Sequence, residues 1–308
     1  MRYLPTYLGI GLLWLVSRLP YALQLKIGTS LGLLLFHVAK RRRQIAEINL
    51  RLCFPELNNH EIQQLLRKTF ISHGIGFIEI GLAWWHKPDD FRHLIKLEGL
   101  EYFEAARKQN KGVILLGAHF TTLDLAGSLL RLFIDVDPMY RKAKNPVFEK
   151  FMKKGREKRF NHLIERSDIR SVLKTLKSGR TIWYAPDQDY GAKVSVFAPF
   201  FGIQAASIKA TSRFAKMNDS PLIMFSHYRN VDGSGYTLRL SPILEGYPTG
   251  DELADATFIN KILEDAIRAQ PDQYMWMHKR FKTRMDNAPG LYPARTRKRK
   301  RTRDLGIL

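Results

Sequence analysis

Between Lys111 and Ala118 the chain reads Gly112-Val113-Ile114-Leu115-Leu116-Gly117, a short apolar block closed by glycine at both ends. A block of that kind reads as a strand buried on both faces. Thr181-Ile182-Trp183-Tyr184-Ala185 has the same character, and Pro221–Tyr228 and Tyr236–Leu240 give two more strands, with Asp232-Gly233-Ser234-Gly235 turning between them. Helical spacing fills the intervals. Asn58–Leu82 carries Ile62, Leu65, Leu66 and Phe70 on one side, with Asn58 or Asn59 as cap. Thr121–Phe133, Asn145–Phe160, Ser171–Lys177, Ala205–Met217 and Asp251–Ala269 are further helices. Strands alternating with helices predict an α/β sandwich.

The N-terminus departs from that pattern. Tyr7–Ser17 is almost wholly apolar, and a second apolar stretch covers Leu31–Ala39. Neither reaches the roughly 20 residues of a clean membrane-spanning helix. Leu4–Leu23 is long enough if Arg18 reaches back to the interface. Lys40, Arg41, Arg42 and Arg43 follow, and by the positive-inside bias this cluster and the chain after it are expected on the cytoplasmic side. A cleaved signal peptide fits poorly, because no basic start precedes a compact apolar core. The competing expectation is a buried helical hairpin; between spanning and lying in the interface the sequence does not choose.

A formal net charge of +21 over 308 residues favours polyanionic partners, and an apolar content of 45% supports a real core. A single cysteine, Cys53, rules out an intrachain disulfide and a multi-thiolate zinc site. Seven cations between Arg295 and Arg303 predict a disordered basic tail.

His119 follows the first strand, and Asp124 follows it by five positions. The carboxyl ends of strands in open α/β sheets face the ligand crevice. Within one helix a separation of five would set the two side chains about 140° apart. They can meet only if His119 lies on the turn and Asp124 in the first helical turn, with Thr121 or Thr122 as N-cap. A carboxylate behind an imidazole fixes its tautomer and stabilises its cation. No nucleophilic Ser or Cys accompanies the pair, so the nucleophile is expected to be a substrate hydroxyl. A core histidine bonded to a nearby acid is the bland alternative.

Gly117-Ala118-His119-Phe120-Thr121-Thr122-Leu123-Asp124 resembles the acyl-transfer box of the glycerolipid and lipid A acyltransferases. Four longer blocks narrow the resemblance to the late acyltransferases of lipid A synthesis, the lauroyl/myristoyl group: Asn49–Glu56, Trp183–Gly191, Val196–Gly202 and Gln273–Arg284. The likeness runs from about residue 8 to about residue 285, and Trp183–Gly191 looks closer to the lauroyl branch. It implies an αβα sandwich of the glycerolipid-acyltransferase type with an N-terminal hydrophobic membrane-anchoring helix. Residues 1–43 would form the anchor and its basic flank, 44–290 the acyltransferase domain and 291–308 the tail. It further implies a bacterial inner-membrane enzyme facing the cytoplasm. Acyl–acyl carrier protein would be the donor, the 3-hydroxyl of an acyl chain on Kdo-linked lipid IVA the acceptor, and anionic inner-membrane lipid the surroundings, with no cofactor, metal or nucleic acid. His119 would be the general base and Asp124 its orienter. Ser207, where Thr is expected, and Met285, where many members have Pro, depart from the pattern, and the basic tail has no counterpart in it.

The remaining candidates are substrate-binding. Arg141, in Tyr140–Pro146, could polarise a thioester carbonyl or hold an acceptor phosphate, and Asn145 belongs to the same block. Arg166 could also reach substrate. Nine cations against two acids between Arg141 and Arg159 form either a solvated helix face or a docking surface for phosphorylated lipid and an acidic carrier. Asp187 and Asp189 are expected to shape the crevice, holding Arg166 or Arg141. Gly28-Thr29-Ser30-Leu31-Gly32 matches the serine-hydrolase elbow only formally, since no strand precedes it. Two rivals stand beside this reading. One is a phospholipid acyltransferase using acyl-CoA, which lacks support from any Glu-Gly-Thr-Arg-type motif. The other is a non-catalytic basic protein binding nucleic acid or membrane, against which the apolar N-terminus speaks.

Overall fold

A computed structural model describes residues 2–293. The basic stretch Arg295–Arg303 lies outside the described residues. Four helices come first: α1 (Leu4–Val16), α2 (Tyr21–Val38), α3 (Lys40–Cys53) and α4 (Asn59–Trp85). The cluster Lys40–Arg43, expected as a flank, is the first turn of α3. That helix holds its place through Ile45, Ala46, Asn49, Leu50 and Cys53, all buried at helical spacing. Asn58 caps α4 in a capping box with Glu61.

The rest alternates as expected: β1 (Ile95–Glu98), α5 (Leu100–Arg107), β2 (Ile114–Leu116), α6 (Leu123–Leu130), β3 (Val136–Tyr140), α7 (Pro146–Glu157), β4 (Ile164–Glu165), α8 (Ile169–Lys177), β5 (Thr181–Tyr184), β6 (Ser195–Phe200), β7 (Ile203–Ile208), α9 (Ala210–Asn218), β8 (Leu222–Arg229), β9 (Tyr236–Ile243) and α10 (Glu252–Ala269). Seven strands form one sheet in the order β1-β9-β8-β2-β5-β3-β4. β8, β2, β5, β3 and β4 run parallel, β9 is antiparallel to β8, and β1 is parallel to β9. Apolar clusters cover both faces. Ile114 and Leu116 join α3, α8, α9 and α10 residues on one side, while Val113 and Leu115 join α5 and α6 residues on the other. The apolar run that opened the sequence is therefore the central strand, buried above and below.

Residues Ala205–Met217, expected as one helix, divide instead. Ala205–Ile208 belong to β7, which pairs with β6 in a separate two-stranded ribbon, and α9 starts only at Ala210. The ribbon turns at Phe201-Gly202, both at positive φ (51° and 76°). Pairing with β6 outweighs the helical preference of Ala205 and Ala206.

α2 lies against α4 at backbone distance. A Cβ on Gly74 would stand 2.2 Å from the Gly28 carbonyl oxygen and 2.6 Å from the Gly32 Cα, so only glycine lets the two helices meet. Leu4, Tyr7, Leu8, Leu12, Trp14 and Leu15 of α1 remain exposed. α2 is 18 residues long with a mean hydropathy of 1.2, long and apolar enough to cross a membrane.

Candidate active site

β2 ends at Leu116, and the backbone then turns through Gly117-Ala118-His119 before α6 begins. Trp183 crosses Gly117 so closely that a Cβ there would stand 2.4 Å from the indole nitrogen. The turn delivers His119, one-fifth exposed, to a cavity of about 340 Å³ at the carboxyl end of the parallel strands. The inner wall is apolar, with Leu130, Val136, Met152, Phe160 and Phe225. The lining also includes Arg141, Arg166, Gln188 and Tyr190, and Arg166 lies over the Tyr190 ring at 5.5 Å. The lining thus combines an apolar wall with a polar, cationic set, the usual make-up of a ligand pocket.

The imidazole has a carboxylate behind it, and that carboxylate belongs to Asp187. His119 Nδ1 lies 2.6 Å from Asp187 Oδ1, and the His119 backbone N–H donates to Asp187 Oδ2 at 3.1 Å. Tyr274 adds to the influences that hold this carboxylate ionised. Asp187 is 1% exposed. Burial pushes its pKa up, but the His119 charge and these hydrogen bonds overcome that and hold it down at about 2. For His119 burial pulls the pKa down, and the Asp187 charge and hydrogen bond reverse this, leaving it above the ordinary imidazole value. An ionised Asp187 accepting from Nδ1–H leaves Nε2 as the basic nitrogen. A second imidazole, His227, is held neutral: burial, then the proximity of His119, lowers it to about 3.

Asp124 takes a different partner from the one expected. It is the second residue of α6 and lines the cavity, yet its Oδ1 accepts from Arg156 Nε at 2.9 Å and Nη2 at 2.8 Å. The expectation that it orients His119 is corrected accordingly. The local spacing suggested a pair five residues apart, but β5 lies beside β2 and carries Asp187 to the imidazole from across the sheet. Thr122 stands at the N-cap position, but its hydroxyl bonds His227 Nδ1 at 2.7 Å and caps nothing.

Arg141 and Arg166 line the cavity. Asn145 does not: its side-chain oxygen caps α7 through Val147 and Phe148, and its amide donates to Thr6 at 2.8 Å, fastening α7 to α1. Asp189 is spent structurally as well, accepting from Gly191, from the Thr283 backbone at 2.6 Å and from the Thr283 hydroxyl at 2.8 Å. Neither aspartate of β5's extension holds Arg141 or Arg166. Arg156 and Trp183 were missed as cavity residues. Trp183 was legible as the residue of β5 whose side chain alternates with Ile182, but Arg156 did not stand out among the nine cations of Arg141–Arg159, read together as either a solvated helix face or a docking surface.

The chain matches the family described as bacterial lipid A biosynthesis acyltransferase over residues 1–283. It belongs to that family. The lipid A biosynthesis palmitoleoyltransferase of Escherichia coli (strain K12) is 38% identical over 292 residues, covering 94% of this chain and 95% of the relative. The lauroyltransferase of the same organism matches equally, 38% over 292 residues with the same coverage. A Haemophilus influenzae lipid A biosynthesis acyltransferase is 36% identical over 296 residues, covering 94% of each chain. The protein is thus an acyltransferase of lipid A biosynthesis, and the resemblance read from the four blocks holds. The two E. coli relatives carry names for different acyl chains at the same identity, so similarity alone does not select the chain.

Proposed function

We propose that this acyltransferase moves a fatty acyl chain, lauroyl being the first candidate, from acyl–acyl carrier protein to the 3-hydroxyl of an acyl chain on Kdo-linked lipid IVA, with His119 as general base and Asp187 as its orienter. The observation that carries the reading is the His119–Asp187 contact at 2.6 Å on the rim of a cavity with an apolar wall. The acceptor hydroxyl oxygen attacks the thioester carbonyl while His119 Nε2 takes the hydroxyl proton. The tetrahedral intermediate expels the carrier's thiolate, which recovers that proton from the imidazolium. An ester forms, a thioester breaks, and the free thiol leaves. No side chain is acylated.

The alkyl chain fits along Leu130, Val136, Met152, Phe160 and Phe225, and Arg141 and Arg166 suit a phosphate of the acceptor or the developing oxyanion. The exposed leucines of α1 and the apolar α2, followed at once by Lys40–Arg43, support attachment to the inner membrane with this domain on the cytoplasmic side. The test is to assay His119→Ala with acyl-carrier-protein and acyl-CoA donors against lipid IVA and glycerol-phosphate acceptors. Wild type should use the first of each pair, and the variant should lose turnover by about 10³-fold or more while still binding acceptor vesicles. Retained turnover in His119→Ala would sink the general-base assignment, and preference for glycerol phosphate would sink the acceptor.

A further inference from the structure

Gln273 is 3% exposed and lies outside the cavity lining, yet it sits between the sheet and the His119 turn. Its side chain grips the last residue of β8 by both main-chain groups: Oε1 accepts from the Arg229 N–H at 2.8 Å and Nε2 donates to the Arg229 carbonyl at 2.7 Å. Its own carbonyl accepts from the Thr121 N–H at 2.8 Å. Two residues on, the Met275 N–H donates to the His119 carbonyl at 3.0 Å, and Phe120 and Tyr274 form an isolated antiparallel bridge between those contacts. The His119 turn is therefore laid as a short strand along Gln273–Met275, and that segment hangs on β8 by one side-chain amide.

β8 offers a rigid hook. The Arg229 guanidinium is buried against Glu79 of α4 in a two-pronged pair at 2.6 and 2.7 Å, and the Tyr236 hydroxyl donates to the same carboxylate at 2.6 Å. Neither Arg229 nor Glu79 lines the cavity. α4 also supports the turn from the other side. A Cβ on Gly76 would stand 2.6 Å from the Thr121 carbonyl oxygen, so α4 and the turn touch backbone to backbone. The polar main-chain groups of His119 then point to two anchors: its N–H to Asp187, its carbonyl to Met275. The angle of the imidazole to Asp187 depends on both anchors holding.

We propose that Gln273, held by the Arg229–Glu79 pair, is a positioning residue that sets His119 against Asp187. The inference rests on the reading of His119 as the base. A displacement of the turn on the order of 1 Å is enough to cost about 10²-fold in rate. Gln273→Met keeps the volume and removes both hydrogen bonds. It should lower kcat by about 10–100-fold and leave both KM values within about twofold, because Gln273 does not touch the cavity. The acidic limb of its pH–rate profile should move to lower pH, since the contact that holds the His119 pKa up is loosened. In an Asp187→Asn background the same substitution should cost little more, because the contact it protects is already gone.

Gln273→Glu is the second variant. Its protonated carboxyl can copy the amide, accepting from and donating to the Arg229 backbone. The ratio of its kcat to the wild-type kcat at the same pH should therefore rise towards one as pH falls, although both rates fall with protonation of His119. At higher pH a carboxylate faces the Arg229 carbonyl and the ratio should drop. Both variants are measured in the full-length protein, with circular dichroism as the check on folding. If Gln273→Met does not fold, the pH response of Gln273→Glu carries the test. Wild-type kcat in the folded variants, or a loss that leaves the acidic limb unmoved and adds in full to Asp187→Asn, overturns the proposal. His119→Ala separates the two failures: if that variant is inactive while the Gln273 variants behave as wild type, only the positioning inference falls.

Discussion

The end of β5 and the first turn of α6 each bring an aspartate to the same cavity, and the two are used in opposite ways. Asp187 is sealed at 1% exposure, binds an imidazole and that residue's own N–H, and has Tyr274 on its flank. Asp124 is about one-fifth exposed and is neutralised by Arg156. A carboxylate held on an imidazole raises the basicity of that ring, whereas one already paired with a guanidinium has little field left to lend. The difference teaches that distance along the chain is a poor guide to which acid serves a base. Five residues separate His119 from the acid that does not touch it, and sixty-eight separate it from the acid that does.

The largest effect should come from breaking the tighter arrangement. Asp187→Asn places an amide where the His119 N–H and Nδ1–H now donate, so one donor meets another and the ring loses its tautomer preference. On the proposed mechanism kcat should fall by about 10³–10⁴-fold, a scale set by the equivalent substitution in serine-protease triads. The sign of the pH effect follows from the shift. The folded-state His119 pKa is raised because Asp187 outweighs burial, and the base works only when neutral. Wild-type kcat/KM should therefore rise with pH through a midpoint above the ordinary imidazole value, and Asp187→Asn should move that midpoint down. An unmoved midpoint would mean that another group titrates in the limb.

The next effect separates cavity depth from acid–base chemistry. Gly127 of α6 lines the cavity, and a Cβ there would meet only the Phe160 ring edge at 3.5 Å, an ordinary contact. Leucine at this helical position replaces a poor helix former, so stability should not suffer. Gly127→Leu should lower kcat/KM for the longest accepted donors by about 10–100-fold relative to donors several carbons shorter, without moving the acidic limb. A uniform loss across chain lengths in an acyl-donor series would place the alkyl chain elsewhere.

Much of this molecule could be read in advance where a residue's surroundings are local. Val113–Leu116 announced the central strand because a strand flanked by helices on both sides has no polar positions to show. His119 announced the site because it directly follows that strand. The cap of α4 was visible as Asn58 or Asn59, and Asn58 is the one that serves. What escaped depended on partners far away in sequence. Asp187 looked like a crevice-shaping acid because nothing in Pro186–Asp189 shows that β5 lies beside β2. Asn145 looked like a ligand for substrate because its block resembled a functional one, although its role is to cap α7 and hold α1. β6–β7 was hidden by alanines at 205 and 206, and the one usable signal was Phe201-Gly202, a turn pair between apolar runs. β1, α5 and β3 are short, and their apolar spacing was too brief to register.

Among the substitutions at the looser arrangement, Asp124→Asn removes the charge that Arg156 now faces while keeping its size. The cation left behind is four-fifths buried and lines the cavity. Kinetically the loss should be about 10-fold or less, well below that of Asp187→Asn, since His119 keeps its own acid. Equal losses for the two asparagine variants in parallel single-turnover assays would restore Asp124 as the functional partner of His119.

The smallest effect is also the most discriminating, because its sign is opposite. The Arg156 charge is one of the influences that lower the His119 pKa, acting against Asp187. Arg156→Met keeps the aliphatic length of the side chain along the cavity and deletes that charge. It also frees Asp124 as a carboxylate lining the same cavity as the imidazole. Both changes favour the protonated ring, so the acidic limb should move up in pH, whereas Asp187→Asn moves it down. Salt should shrink the Arg156→Met shift, because a partly exposed charge is screened, and leave the Asp187→Asn shift nearly untouched, because that contact is buried. Limbs that move the same way in both variants, or that respond alike to salt, would mean that the two carboxylates act on His119 as one electrostatic cluster.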